Sequence, residues 1–417
     1  MVAAYYIPPQ PDTDTDTTMP LPYTASPLKL LAADILLCLS SIRYLPNIVR
    51  PLRPCRSGKL DELYPSWGNI TALAIHGVLI VYQLAFILSL PALFFFPVYT
   101  SMIYTAAALV INKSICMILN GSRRFLVSQV PVDPCSQHGS EHWVFINGVG
   151  VGQHWLQSNL DRLSLTFGRK VTGVHNDTTG IIFDIIQCLI QRCFCYATDH
   201  VRDAHVLVKE ALLSPEYRKV ILILHSQGAV EGGLIIDWLF DELDQSALDK
   251  LEIYTFGNAA NHWNNPIRTL LPGLSNALER RIRYIEHYVN SKDFVAIWGI
   301  LHFIKLPYRY RGTIFIRDGC GHQLNQHYLD TMFPLSLNGG KVLEENDFVG
   351  QEVELISWEK LDGVEKDPNS ANNAESAAGI ITQSGGCQND MPTDGNRLKL
   401  KSYSRLWQYR NGGSPPD

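Results

Sequence analysis

The chain has 417 residues, of which 46% are apolar and 18% charged, with a formal net charge of -5. Those proportions allow a large core, and the absence of a basic stripe excludes a nucleic-acid-binding surface. Nine cysteines, at 38, 55, 116, 135, 188, 193, 195, 320 and 387, show no zinc spacing, so reduced thiols and no structural metal are expected.

Residues 1–27 open without a basic stretch or an early apolar run, so no cleaved signal peptide is expected. Their Pro, Asp and Thr content predicts a disordered tail. Residues 28–125 form the next region. "LKLLAADILLCLSSIRYL" (28–45) carries apolar residues at helical spacing and predicts an amphipathic, interfacial helix. A basic stretch follows, with Arg43, Arg50, Arg53, Arg56 and Lys59.

Between Ile70 and Ile111 there is no Asp, Glu, Lys or Arg. "ITALAIHGVLIVYQLAFILSL" is long enough to cross a bilayer core of about 30 Å. Its aliphatic and aromatic residues contribute roughly -4 to -7 kcal/mol to insertion, partly offset by His76 and Gln83. A second apolar run, "ALFFFPVYTSMIYTAAALVI", follows Pro91, and with Pro97 this predicts a two-span hairpin. Basic residues lie before the first span and after the second (Lys113, Arg123, Arg124), which places both ends on the cytoplasmic side. Four glycosylation sequons, at Asn69, Asn112, Asn120 and Asn176, point the other way, toward a lumenal face. The bland alternative is a pair of buried core helices.

In residues 126–358 apolar runs alternate with helical stretches. "HWVFING", "GRKVTGVHN", "KVILILHS", "LEIYTFGN", "RIRYIEHYVN" and "GTIFIRD" read as strands, which predicts an α/β domain with a mostly parallel sheet. The trio Cys188, Cys193 and Cys195 falls in a helical pattern and reads as packing. Residues 359–417 read as a second disordered tail, ending in the basic-aromatic piece "RLKLKSYSRLWQYR", solvated or touching a membrane surface.

"KVILILHSQGAV" ends a strand on Ser226, followed by Gly228 and Ala229. A serine on a sharp strand-to-helix turn is lifted out of the sheet, and the next residue, here Gln227, offers a backbone N–H to a developing oxyanion. Leu224 stands where the usual G-x-S-x-G pattern has its first glycine. Asp293 follows the strand "RYIEHYV" and His322 follows "GTIFIRD", giving the order Ser, Asp, His at successive strand ends. Taken singly, Asp293 also reads as a helix N-cap and His322 as a loop histidine. His327 competes for the base role and Asp318 for the acid role. The first strand leaves the sheet through "NGVGVGQ", so Gly148 and Val149 are expected to supply the second oxyanion donor. The same glycines resemble part of a dinucleotide fingerprint, but no acidic residue stands at the ribose position, so no cofactor is expected.

The pieces "HWVFINGVGVGQHWLQSNLDRL", "ILHSQGAVEGGLIIDWL", "YTFGNAANHW", "HYVNSKDFVAIWGILHF" and "GHQLNQHYL" resemble a fungal lipase-like α/β-hydrolase family. That resemblance covers about 142–335 and implies the α/β-hydrolase fold with Ser226, Asp293 and His322 as a serine hydrolase triad. The expectation is a membrane-anchored enzyme cleaving a lipophilic ester through an acyl-enzyme. Two alternatives stay open: an enzyme of a specialised-metabolite pathway (lactone opening or product release), and a membrane-tethered interaction protein that has lost activity. Only about twenty residues join "GNAANHW" to "RYIEHYV", so any lid is short.

Overall fold

The computed structural model describes residues 4–9, 26–132, 138–268, 279–306, 309–336, 340–346, 348–351, 354–355 and 399–416. Most of the connection expected to act as a short lid, and the tail positions 359–398, lie outside the described residues.

Strands β1 (Ala4–Ile7), β2 (Phe125–Val127), β3 (Glu141–Ile146), β4 (Val171–Val174), β5 (Lys219–His225), β6 (Leu251–Phe256), β7 (Tyr284–Asn290), β8 (Thr313–Arg317) and β9 (Glu354–Leu355) form one sheet. Its order is β2-β4-β3-β5-β6-β7-β8-β1-β9. The six strands read from the sequence are β3 to β8, and all six run parallel. β2 and β1 add antiparallel neighbours on either side.

Strand β5 explains how such a sheet is covered. Val220, Leu222 and Leu224 face one core, and Ile221 and Ile223 face the other, as alternation along a strand demands. The helices are α1 (Pro27–Ser40), α2 (Trp67–Ser89), α3 (Val98–Asn120), α4 (Gln153–Phe167), α5 (Ile181–Phe194), α6 (Asp199–Leu213), α7 (Gln227–Glu242), α8 (Gln245–Leu248), α9 (Phe294–Trp298) and α10 (Ile300–Phe303). Helices α6, α7, α9 and α10 bury apolar residues on the first face, and α4 does so on the second.

The chain passes from β3 to β4 on one side of β3 and then to β5 on the other. The loops after β3 and β5 therefore diverge, and the crevice between them is the topological switch point where ligands bind in open parallel sheets.

Both expected tails are corrected in part. Ala4–Ile7 is an inner strand of the sheet, registered Ala4↔Arg317 through Ile7↔Ile314. At the other end, Leu400, Leu406, Trp407 and Tyr409 are buried in the second core. Arg405 pairs with Glu252 at 2.8 Å, and its N–H donates to Glu286 at 2.7 Å. From Leu400 on, the basic-aromatic piece is thus no solvated tail: its aromatic residues cover one face of the sheet.

The apolar hairpin is present as α2 and α3, joined by a 3-10 turn over Leu90–Phe95. Both helices are long and apolar enough to cross a membrane, with mean hydropathies of 2.3 and 1.7 over their best windows. Neither is a core helix, since only 17% and 22% of those windows are buried. Phe94 and Phe95 at the tip are 91% and 89% exposed. α1 differs from a purely interfacial helix. Its Asp34 is buried and pairs with Arg192 of α5 at 2.9 Å, while Leu28, Leu36 and Leu39 stay exposed.

Candidate active site

Ser226 stands between β5 and α7 with φ 59 and ψ -122. A non-glycine residue held at positive φ costs of order 1–3 kcal/mol and persists only where its surroundings fix it. Here the surroundings are close-packed backbone. A Cβ on Gly228 would lie 2.4 Å from the Ile146 carbonyl oxygen, and one on Gly148 would lie 2.5 Å from Ser226 Cβ. The departure at Leu224 is absorbed one helical turn further on, where the Leu224 side chain occupies the space left by Gly232.

Ser226, His322 and Asp293 come together at the carboxyl ends of β5, β8 and β7. His322 Nε2 lies 2.8 Å from Ser226 Oγ, and His322 Nδ1 lies 2.8 Å from Asp293 Oδ2. With Nδ1–H donating to the carboxylate, Nε2 is left to accept the serine proton. The two readings of Asp293 prove compatible. Its Oδ1 accepts from Val295 N–H at 2.9 Å and caps α9, while Oδ2 holds the histidine. Gly257, at φ +54, supports the pair, since a Cβ there would sit 2.9 Å from His322 Cε1.

The rivals lie elsewhere. His327 Nδ1 accepts from Gln323 N–H at 3.0 Å and its Nε2 donates to the Pro51 carbonyl at 2.9 Å. Burial pulls its pKa down to about 4, so it is neutral and fully engaged. Asp318 faces Lys292 at 3.1 Å and accepts from Ser291 at 2.9 Å.

Gln227 opens α7, where the first N–H groups of a helix have no intrahelical acceptor. Its side chain is fixed from both ends, donating to Gln191 Oε1 at 2.7 Å and accepting from Asn176 Nδ2 at 3.3 Å. Gly148 abuts the serine directly, and the adjacent Val149 packs on the first core. Gly148 and Gln227 thus flank Ser226 from the loop after β3 and from the first turn of α7. Ser226 and His322 are only 4% and 7% exposed. Part of the cover is the 47–51 segment, since Ile48 O accepts from His322 N–H at 3.3 Å.

Several contributors escape sequence reasoning. Tyr328 Oη donates to Asp293 Oδ2 at 2.7 Å, and His225 Nε2 donates to the His322 carbonyl at 2.8 Å. Burial, with His322 beside it, holds the His225 pKa well below the usual histidine range, so its ring is neutral. The one sequence signal for His225 was its place before the serine; Tyr328 had none.

The four sequon asparagines are all hydrogen-bonded inside the protein. The side-chain amides of Asn69, Asn112, Asn120 and Asn176 donate respectively to Asp61 O, Thr179 O, Thr178 O and Gln227 Oε1, at 2.8, 2.9, 2.8 and 3.3 Å. Each of the four amides is thus engaged within the fold. Among the described residues no group of three or more His, Cys, Asp or Glu could hold a metal ion. Compared with known proteins, the chain matches no family model and no curated protein.

Proposed function

We propose that the chain is a membrane-anchored serine hydrolase of the α/β-hydrolase fold that cleaves a lipophilic ester. The observation that carries this reading is the continuous chain Ser226 Oγ–His322 Nε2 and His322 Nδ1–Asp293 Oδ2, both links at 2.8 Å, on a serine held at positive φ. Ser226 Oγ attacks the ester carbonyl carbon while its proton passes to His322 Nε2. Negative charge growing on the carbonyl oxygen meets the N–H groups of Gln227 and of the Gly148–Val149 loop, each donor worth about 3–4 kcal/mol of transition-state stabilisation. As the tetrahedral adduct collapses, the C–O bond breaks and His322 returns the proton to the leaving alcohol. Water then attacks the acyl-enzyme by the same route, releasing the acid and restoring Ser226. The scheme calls for no metal or organic cofactor.

Membrane anchoring follows from the exposed apolar hairpin. β1, ahead of the hairpin in the chain, and its sheet partner β8, after it, lie side by side, which supports an even number of crossings between them. With basic residues at both hairpin flanks, the catalytic domain faces the cytoplasm.

The direct test is labelling of the full-length protein with a fluorophosphonate probe. Labelling that is lost in Ser226→Ala and His322→Ala is the expected result. A folded wild-type protein that never labels rules the reading out in favour of an interaction protein.

A further inference from the structure

The hairpin does more than project an apolar surface. On α2, Asn69, His76 and Gln83 recur at a seven-residue interval and are all buried; on α3, Asn112 is buried too. These residues sit on the sides of the two helices that face the catalytic domain. A polar side chain in an apolar helix is costly unless partnered, and hydrocarbon offers no competing donor or acceptor. Asn69 finds its partners in Asp61 O, Tyr64 O, His154 and Trp155, and His76 stacks on Trp155 with neither ring nitrogen hydrogen-bonded. Gln83 and Asn112, by contrast, both reach one turn, 178–182. Gln83 Nε2 donates to Thr179 O at 2.6 Å, and Gln83 Oε1 accepts from Ile182 N–H at 3.1 Å. Asn112 donates to the same Thr179 carbonyl at 2.9 Å, and Asn120 both accepts from Thr178 N–H at 3.0 Å and donates to Thr178 O at 2.8 Å.

That turn grips the carboxylate of Asp184. Thr178 Oγ1 donates to Oδ2 at 2.6 Å, and Thr179 N–H and Oγ1 both donate to Oδ1 at 2.7 Å. Asp184 Oδ2 in turn accepts from Gly150 N–H at 3.0 Å, in the loop that begins at Gly148 against Ser226. The same loop touches the hairpin directly. A Cβ on Gly152 would lie 2.6 Å from the Leu119 carbonyl oxygen, and one on Gly150 would lie 3.8 Å from His76 Cε1. Between the nucleophile and the hairpin, therefore, lies little more than this one glycine-rich loop.

We propose that the hairpin is the scaffold of the oxyanion loop, with Gln83 and Asn112 acting as positioning residues through the 178–182 turn and Asp184. This rests on the serine hydrolase reading. The amides touch no substrate. They fix the backbone whose N–H groups meet the transition state, so their loss weakens transition-state binding more than ground-state binding.

The experiment compares full-length wild type, Gln83→Leu and Asn112→Ala in detergent micelles, using a soluble short-chain nitrophenyl ester and a trifluoromethyl ketone. The ketone forms a hemiketal oxyanion on the serine. Expected are a fall in kcat of tenfold or more, KM within twofold of wild type, and ketone affinity weakened in step with kcat. Hydrogen exchange should rise in peptides covering 147–152 and 176–182, while the β5–α7 segment stays protected. Two variants guard against one failing to fold. Folded variants with wild-type kcat and ketone affinity overturn the proposal, as does a loss confined to KM. A wild-type protein that neither hydrolyses the ester nor binds the ketone overturns the hydrolase reading itself, and this proposal with it.

Discussion

Leu224 and Gly232 form a matched pair: a Cβ placed on Gly232 would fall 2.3 Å from Leu224 Cδ1. The fully buried leucine occupies what would otherwise be a hollow over α7. Gly232→Ala should destabilise the fold by about 1–3 kcal/mol through overpacking, despite alanine's better helix propensity. Leu224→Ala should cost about 2–5 kcal/mol through the cavity it leaves. The double variant should lose less than the sum, because the new methyl enters the new space. Chemical denaturation of the four proteins in a double-mutant cycle checks this, and strict additivity would show that the two residues are not coupled.

Asp293 divides its oxygens between a helix cap and His322. Asp293→Asn keeps an acceptor for Val295 N–H while removing the charge opposite the imidazole. Stability should therefore fall by no more than about 1–2 kcal/mol, while ester turnover falls about ten-thousand-fold. Asp293→Ala should lose both. Parallel melting curves and single-turnover rates separate the two roles.

Tyr328→Phe removes a hydroxyl bonded to Asp293 Oδ2 without changing ring packing. The loss of a hydrogen bond to a charged acceptor should cost about 1.5–3 kcal/mol of stability. Turnover should fall less than in Asp293→Asn, since the histidine keeps its partner. A tyrosine variant as inactive as Asp293→Asn would mean that its hydroxyl touches the reacting atoms.

Burial sets a pH dependence of stability apart from catalysis. Glu231 is pushed from 4.5 up to about 8 and Glu286 to about 7, in each case chiefly by loss of water. Both carboxyls hold their protons more tightly folded than unfolded. The stability they contribute is therefore complete below the ordinary carboxylate value and is lost as pH rises through the folded values. Each group costs up to about 1.4 kcal/mol per pH unit inside its window. The melting temperature should fall between pH 5 and pH 8, and Glu231→Gln should flatten that fall. A flat wild-type profile would refute it.

Phe94→Asp with Phe95→Asp places two charges at the exposed hairpin tip. At roughly 2.5–3.5 kcal/mol each at the centre of a span, less nearer an interface, they should convert a carbonate-resistant protein into an extractable one. Labelling of Ser226 in detergent should persist. If wild-type protein already washes off in carbonate, the hairpin is not a membrane anchor.

What could be read from the sequence was whatever is written locally. Six strand runs, each passing into polar or glycine residues, gave β3 to β8 and the positions of Ser226, Asp293 and His322. The hairpin was equally plain, because no charge interrupts it. What escaped depends on contacts between distant segments. "AYYI" is too short to announce a strand, and its pairing partner β8 lies near the other end of the chain. Leu224 looked like a defect because its compensation, Gly232, is visible only once helix and strand are packed. His76 and Gln83 read as penalties to insertion; the seven-residue interval they share with Asn69 was the available clue that one side of α2 is not lipid-facing.

The position of β1 also sets the order in which the molecule can be completed. Its four residues leave the ribosome about three hundred residues ahead of their neighbours in the sheet, β8 and β9. Throughout that interval the hairpin can enter a membrane while the amino-terminal strand waits unpaired. Final closure of the sheet is then a long-range event with a high entropic cost. Residues 1–125 are accordingly no detachable anchor. Removing them would take away β1, the 47–51 cover over His322 and the contacts that hold the glycine-rich loop, leaving β8 without the strand beside it.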